Sequence, residues 1–143
     1  NREWDKQRPN GPKHNQCWAH TGQTMSNGKP EPVQVALGKL KEDCVYAQLQ
    51  ESENFSVQQP FTASGRALPK RTIPPSGGGT PDLIVHGAGA INGASVAKVY
   101  DLKFPCPSSA NKPGQWNEGQ YEKYVRMFPN CTKFRIICPR GIL

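Results

Sequence analysis

PDLIVHGAGAINGASVAKVYDLKF, residues 81–104, is the stretch that decides the fold. It begins with a short apolar run at residues 82–86 and continues through the Gly-rich segment 87–93. Residues 95–104 follow, and they are rich in β-branched and aromatic side chains. Two such runs on either side of a turn predict a β-hairpin.

A helix is predicted before the hairpin. In VQVALGKLKEDCVYAQLQESE the apolar residues recur at steps of three and four, which is the spacing of an amphipathic helix that begins after Pro32. The predicted apolar stripe consists of Val33, Leu37, Leu40, Cys44 or Val45, and Leu49. Residues 54–80 contain many Pro and Gly residues, and we expect one short strand within a long loop.

A second helix and a last strand are predicted after the hairpin. In QWNEGQYEKYVRMF the residues Trp116, Gln120, Tyr124 and Phe128 fall at steps of four, and Pro129 ends the helix. Lys133–Cys138, KFRIIC, has the composition of a strand. The predicted order is helix, three strands, helix, strand, which favours an α/β fold with a mixed β-sheet flanked by helices.

Length and composition favour one domain. Of 143 residues, 35% are hydrophobic and Gly and Pro contribute 14 each, so only part of the chain builds a core. We expect residues 1–32 to form an irregular arm or linker and residues 33–143 to form the domain. The chain begins with Asn1, and we expect a domain cut from a longer polypeptide. No apolar stretch is long enough to span a membrane, so no membrane insertion is expected.

Charge and cysteine content restrict the partners and the redox state. The formal net charge of +7 favours an anionic partner such as nucleic acid, a membrane surface or an acidic protein. Basic residues are scattered over the second half, at Lys70, Arg71, Lys98, Lys112, Lys123, Arg126, Lys133, Arg135 and Arg140. Five cysteines cannot all pair internally, so at least one thiol is free or pairs with another chain.

The hairpin brings charged residues together. Because side chains alternate along a strand, Asp101 and Lys103 project from the same face. If the turn is centred near residues 91 and 92, Asp82 lies opposite Asp101. If Asn92 and Gly93 are the central turn residues, Asp82 lies opposite Lys103. Either register gathers two carboxylates and one ammonium at one end of the sheet.

Two close carboxylates repel each other unless a cation lies between them, and oxygen ligands suit Mg²⁺ or Mn²⁺. Such an ion polarises a phosphate and lowers the pKa of a bound water, and a neighbouring lysine stabilises the charge that develops. The sequence therefore predicts phosphodiester hydrolysis with Mg²⁺ or Mn²⁺ as cofactor.

These residues resemble the signature of the PD-(D/E)XK nuclease superfamily, which has the restriction-endonuclease-like fold. Pro81-Asp82 and the later Asp101-Leu102-Lys103 match its motif, and Gln120-Tyr-Glu-Lys-Tyr124 is similar to the QxxxY element of its RecB-like branch. The resemblance covers roughly residues 33–139, and it implies a core in the order αβββαβ.

The resemblance implies a role for each matching position. Asp82 and Asp101 would bind the metal together with the carbonyl of Leu102, and Lys103 would be the catalytic lysine. Gln120 and Tyr124 would orient the site or contact a substrate phosphate.

Many members of the superfamily also supply an acid from the first helix. Glu42 is our candidate because it lies in the middle of the predicted helix. Glu31, Glu51 and Glu53 are alternatives that the spacing does not exclude.

The run YDLKFPCP, a Gly/Gln/Trp-containing stretch and the following helix resemble the nuclease domains at the C-termini of bacterial polymorphic toxins and type VI secretion effectors. This narrower resemblance implies a DNase that is secreted by a bacterium, is delivered into a target cell and acts in the target cytoplasm. It also implies a cognate immunity protein, which we expect to be acidic because the domain is basic.

Several alternatives remain at the level of sequence. The same fold can act on RNA or on a structured nucleic acid. A non-catalytic basic binding module, secreted and cross-linked through four cysteines, is a rival from another class. His14, Cys17 and His20 have the spacing of zinc ligands but lack a fourth partner. A serine or cysteine hydrolase is disfavoured because GxSxG is absent; His86 is interpreted as a structural residue at a strand end.

Overall fold

A computed structural model describes most of the chain, namely residues 6–7, 19–104, 116–138 and 141–142. The chain divides into two compact units. The first unit contains Asn1–Gln48 and Lys103–Pro113, and the second contains Leu49–Leu102 and Gly114–Leu143. This division differs from the predicted boundary after residue 32, which rested on composition alone.

The first unit has a β-hairpin where the sequence predicts an irregular arm. Strand β1, His20–Thr24, pairs antiparallel with β2, Pro30–Pro32. The turn between them is closed by hydrogen bonds between Met25 and Lys29 and between Gly28 and Met25. The prediction of irregular structure is therefore wrong for this segment, because backbone pairing forms here without an alternating apolar pattern.

The predicted first helix is confirmed. Helix α1, Val33–Tyr46, begins directly after Pro32, whose extended backbone precedes the helix. Val33 and Leu37 are buried as expected, whereas Leu40 is 39% exposed and Lys41 takes its place in the buried stripe. The Lys41 ammonium lies 6.0 Å from the centre of the Phe104 ring, within cation–π range.

The second unit is built on a mixed sheet. Its strand order follows the chain, β3-β4-β5-β6-β7. Neighbouring strands are antiparallel except β5 and β6, which are parallel. The bounds are β3 Phe55–Val57, β4 Leu83–His86, β5 Val96–Leu102, β6 Lys133–Cys138 and the two-residue edge strand β7 Gly141–Ile142. The mixed α/β character predicted from the sequence is present.

The register of the β4–β5 pair chooses between the two predicted alignments. Leu83 pairs with Tyr100 and Ile84 with Val99, and continuing this register places Asp82 opposite Asp101. The alignment of Asp82 with Lys103 is wrong, because Asn92 and Gly93 are not the centre of a two-residue turn.

A short 3₁₀ turn, Gly93–Ser95, instead precedes β5, and Asn92 caps it through its side chain. The register shifts by one residue between Val85 and His86, which absorbs this turn. Strand β5 is consequently shorter than predicted and ends before Lys103.

Helix α2, Gln120–Met127, covers one face of the sheet. It begins at Gln120 because Gly119 has a φ of 69°, which interrupts a regular helix before it. Trp116 therefore precedes the helix, in contrast to the prediction. The core beneath α2 consists of Phe61, Ile84, Val96, Val99, Tyr124, Met127 and Phe128. No helix in the described ranges is long and apolar enough to cross a membrane.

Candidate functional site

Asp82 and Asp101 lie opposite each other at one end of the β4–β5 pair. Asp82 immediately precedes β4, and its Oδ2 accepts a hydrogen bond of 2.6 Å from the Leu102 amide, next to Asp101. The carbonyl of Asp82 accepts from the Gln58 amide, so the Asp82 backbone continues the ladder with β3. These bonds fix Asp82 beside the end of β5.

Asp101 is held from the helix side by Gln120. Asp101 is only 3% exposed, and its Oδ1 accepts a hydrogen bond of 2.8 Å from Gln120 Nε2. The other end of the amide is also held, because Gln120 Oε1 accepts from the Asn117 amide at 3.2 Å. An amide anchored at both ends orients the carboxylate that it contacts.

Tyr124 completes this side of the site. Its hydroxyl accepts a weak hydrogen bond of 3.5 Å from Gln120 Nε2, and the residue is 2% exposed. Burial raises the pKa of Tyr124 well above its usual range, and the negative charges of Asp101 and Asp82 raise it further. The hydroxyl is therefore neutral at physiological pH. Because the ring is buried, Gln120 is the more accessible member of the QxxxY pair.

The donor set of this site is chemically suited to a hard divalent cation. Asp82 Oδ2 and Asp101 Oδ1 each accept a hydrogen bond, and carboxylate oxygens are among the ligands that Mg²⁺ prefers. Among the described residues, no group of three or more His, Cys, Asp and Glu side chains is arranged to hold a metal. Two carboxylates would therefore need backbone carbonyl and water oxygens to complete the shell, as Mg²⁺ commonly does.

Two predicted site residues belong to the other unit. Lys103 follows β5 directly in the chain but falls in the first unit, and half-buried Glu42 lies on α1 of that unit. The site within the second unit thus contains Asp82, Asp101, Leu102, Gln120 and Tyr124. The roles of Lys103 and Glu42 stay predictions.

Two of the alternative acids have partners of their own. Glu31 accepts from the Thr21 hydroxyl at 3.1 Å and lies 3.3 Å from the Lys39 ammonium. Glu51 accepts from the Val57 amide at 2.7 Å and lies 2.5 Å from the Lys70 ammonium. Both carboxylates therefore have local structural roles.

The structure places Lys123 near Tyr124, whereas the sequence shows it only as one of several scattered basic residues. It lies on α2 three residues after Gln120, and its ammonium is 5.7 Å from the centre of the Tyr124 ring. Lys123 Nζ and Cε also lie 3.2 Å from the position of a Cβ built on Gly79. The sequence contains a signal for Lys123: it lies three residues after Gln120, and residues three apart are neighbours on a helix.

A second Gly-rich segment, residues 76–80, precedes Asp82. Two of its backbone amides already donate hydrogen bonds within the chain. The Gly78 amide donates to the Pro75 carbonyl at 2.9 Å, and the Gly79 amide donates to the Phe61 carbonyl at 3.1 Å. These two backbone amides are therefore not free to bind a phosphate.

His86 has a structural environment. It is 4% exposed and ends β4, as predicted, with Nε2 3.0 Å from the Ser56 hydroxyl and Nδ1 2.9 Å from the Gly87 carbonyl. A carbonyl only accepts, so in the neutral ring Nδ1 donates and Nε2 accepts from Ser56. Ser56 is itself 5% exposed, which leaves this pair without the access that a nucleophile needs.

Trp116 packs against other aromatic side chains. Its ring centre lies 5.9 Å from those of Tyr121 and Tyr124, and it contacts the core beneath α2. Tyr121 is the more exposed ring at 43%.

The remaining predictions concern cysteine and zinc. His14 and Cys17 lie outside the described residues, and His20 lies in β1. Cys44, Cys131 and Cys138 are free thiols. Two internal disulfides need four cysteines, so the structure does not contain the cross-link through four cysteines that the binding-module alternative assumed.

Comparison with protein-family models, with curated proteins and with solved structures gives no match for this chain.

Proposed function

We propose that this chain is a metal-dependent nuclease of the PD-(D/E)XK type that hydrolyses phosphodiester bonds in DNA. The observation that carries the proposal is the position of Asp101, which lies in register with Asp82 and accepts a hydrogen bond from Gln120. Three separate sequence motifs thus converge on one carboxylate. A chance surface ion pair gives no reason for this convergence.

The element order also supports the proposal. Helix α1, strands β3, β4 and β5, helix α2 and strand β6 follow one another in the order αβββαβ that the resemblance implies. The carboxylates lie where strands β4 and β5 meet helix α2, so residues from three elements contribute to one site.

In this proposal Asp82 and Asp101 would hold Mg²⁺ or Mn²⁺ together with the Leu102 carbonyl. The bound ion supplies Lewis acidity toward a phosphate oxygen and lowers the pKa of water. Gln120 keeps Asp101 oriented, and neutral Tyr124 excludes water behind it. The resemblance assigns Lys103 the stabilisation of negative charge on the phosphate and makes Glu42 the candidate acid from the first helix.

Plasmid cleavage tests the activity. Wild type, Asp101→Asn and Lys103→Ala are incubated with supercoiled plasmid in Mg²⁺, Mn²⁺ or EDTA, with total RNA in parallel. We expect cleavage by wild type only with metal and a loss of about a hundredfold or more in both variants. Asp43→Asn, an exposed acid on α1, is the matched control and should cut like wild type.

The outcomes separate the alternatives. Cleavage of RNA alone changes the substrate and keeps the mechanism. No cleavage of either substrate, or equal cleavage by folded Asp101→Asn, contradicts the nuclease proposal and leaves a basic binding module.

Metal binding has a readout that does not depend on activity. A cation that binds only the folded chain stabilises it, by about 2.7 kcal/mol at a concentration of a hundred times Kd. We expect Mg²⁺ or Mn²⁺ to raise the melting temperature of wild type, and not that of Asp101→Asn. An equal rise in both proteins would place the metal elsewhere.

We further propose, from the narrower resemblance, that the domain is an antibacterial toxin delivered into a target cell and inhibited by an acidic immunity protein. Cytoplasmic expression in a test bacterium should stop growth with wild type and not with Asp101→Asn. An active nuclease that does not stop growth would count against the toxin proposal. So would the absence of a small acidic reading frame beside the gene.

A further inference from the structure

The ammonium of Lys123 has an unusual place on the second unit. The buried and half-buried positions of α2 include Gln120, Lys123 and Tyr124, so Lys123 belongs to the sheet-facing side of the helix. Its ammonium packs over Gly79, where the absence of a side chain leaves room for it. The Tyr124 ring that Lys123 contacts carries the hydroxyl that accepts from Gln120, and Gln120 also donates to Asp101, so Tyr124 and Gln120 link this cation to the carboxylate site.

No acid neutralises Lys123 within the described ranges. Lys123 takes part in neither the Lys39–Glu31 nor the Lys70–Glu51 ion pair. Its ammonium instead lies 5.7 Å from the centre of the Tyr124 ring. Partial burial of a cation is costly unless an anion compensates for it.

A nucleic-acid substrate supplies such an anion. Phosphates that approach Asp82 and Asp101 are repelled by two negative charges, and a nearby cation reduces this repulsion. Because the amides of Gly78 and Gly79 already donate to carbonyls of the chain, Lys123 supplies a charged donor on this side.

We infer that Lys123 binds a phosphate of the nucleic-acid substrate beside the carboxylate site. This inference rests on the proposed nuclease function. It makes Lys123 a substrate-binding residue, distinct from Lys103, which the proposal places at the reacting phosphate.

The test separates charge from packing. Lys123→Met keeps the aliphatic stem over Tyr124 and removes the charge, whereas Lys123→Arg keeps the charge. Arg126→Met removes the same charge from an exposed position of the same helix and is the matched control. Melting temperatures establish that each variant is folded.

Affinity is measured by fluorescence anisotropy with a short fluorescein-labelled DNA duplex in EDTA over a range of salt concentrations. KM and kcat are measured on plasmid with Mg²⁺. For Lys123→Met we expect Kd to rise about tenfold and the slope of log Kd against log salt to fall by about one. KM should rise with little change in kcat, because a remote phosphate contact is made equally in the ground and transition states.

Lys123→Arg should restore both Kd and KM, and Arg126→Met should change them much less. Wild-type KM and salt slope in Lys123→Met, together with cleavage by wild type, overturn this inference and leave the nuclease proposal intact. An equal effect in Arg126→Met also overturns it, because bulk charge then explains the loss. If wild type neither binds nor cleaves nucleic acid, the proposed function itself fails.

Discussion

Asp101 is the residue on which the site depends. A carboxylate at 3% exposure is stable only with hydrogen bonds that replace its lost water, and Gln120 provides one of them. The contact joins residues 19 positions apart. Motif spacing predicted both residues, whereas their bond depends on how α2 packs against β5.

Gln120→Leu should lower stability, since it removes a donor from a buried charged acceptor. We expect a loss of about 1–3 kcal/mol in the free energy of unfolding, measured by urea denaturation. Gln50→Leu, at an exposed position, should stay within about 0.5 kcal/mol of wild type. Equal stabilities of Gln120→Leu and wild type would show that the bond contributes nothing.

The raised pKa of Tyr124 predicts that the folded chain loses stability in alkaline solution. Its pKa in the folded chain is raised above the ordinary value of 10.0, so above that pH the unfolded chain loses the proton while the folded chain keeps it. The contribution of Tyr124 to the free energy of unfolding is therefore fully present below pH 10 and falls as the pH rises above it.

Tyr124→Phe should remove this dependence. Urea denaturation between about pH 9 and about pH 11 should give a stability slope that is shallower than that of wild type by up to about 1.4 kcal/mol per pH unit. Parallel slopes in the two proteins would contradict the assigned burial of the hydroxyl.

Close backbone packing joins the end of α2 to the turn before β5. The Gly93 amide donates to the Gly65 carbonyl at 2.6 Å. A Cβ on Gly93 would lie 2.2 Å from the Met127 carbonyl and 2.9 Å from Gly65 Cα. Since both neighbours are backbone atoms, only glycine fits at position 93 without displacement of the helix end.

Gly93→Ala should therefore destabilise the chain by about 3 kcal/mol or more. Gly87→Ala is the matched control, because a Cβ at Gly87 meets nothing within 4 Å. The control should be neutral or stabilising by up to about 1 kcal/mol. Urea denaturation of the two variants gives the comparison, and a Gly93→Ala chain as stable as the control would refute the close approach.

The loop before β3 is tied to a later loop by Glu51 and Lys70. Slight burial raises the pKa of Glu51, but the hydrogen bonds from Lys70 and the Val57 amide lower it by more. A lowered pKa means that the stabilisation is present above the ordinary pKa of 4.5 and is lost as the pH falls below it.

Glu51→Gln should cost under about 1 kcal/mol at neutral pH, because both side chains are about half exposed and salt screens the pair. The difference from wild type should shrink in acid. Glu53→Gln, an exposed neighbour, is the control and should match wild type at every pH. A difference that grows in acid would contradict the assigned pairing.

Within the part of the chain that the structure describes, Cys44, Cys131 and Cys138 are free thiols, and they set the minimum number of reactive thiols. Denatured protein prepared without reductant should react with a thiol reagent at three or more positions. Fewer than three reactive thiols would contradict the structure and would revive the cross-linked binding module.

Local sequence patterns correctly predicted the elements whose composition or apolar spacing is regular and whose ends are marked by proline. Helix α1 begins after Pro32 and strand β6 spans Lys133–Cys138 as predicted, because proline restricts the backbone and β-branched residues favour strands. The β1–β2 hairpin was missed because its residues lack apolar alternation.

The sequence by itself determined the mixed α/β class, the order of the main helices and strands, and the acidic and amide residues of the motifs. Tertiary structure decided that Asp82 faces Asp101, because the 3₁₀ turn and the bulge near His86 shift the register in a way that turn composition does not encode. It also brought Lys123 over Gly79. Register and packing depend on contacts between distant segments, and a linear pattern contains no distances between them.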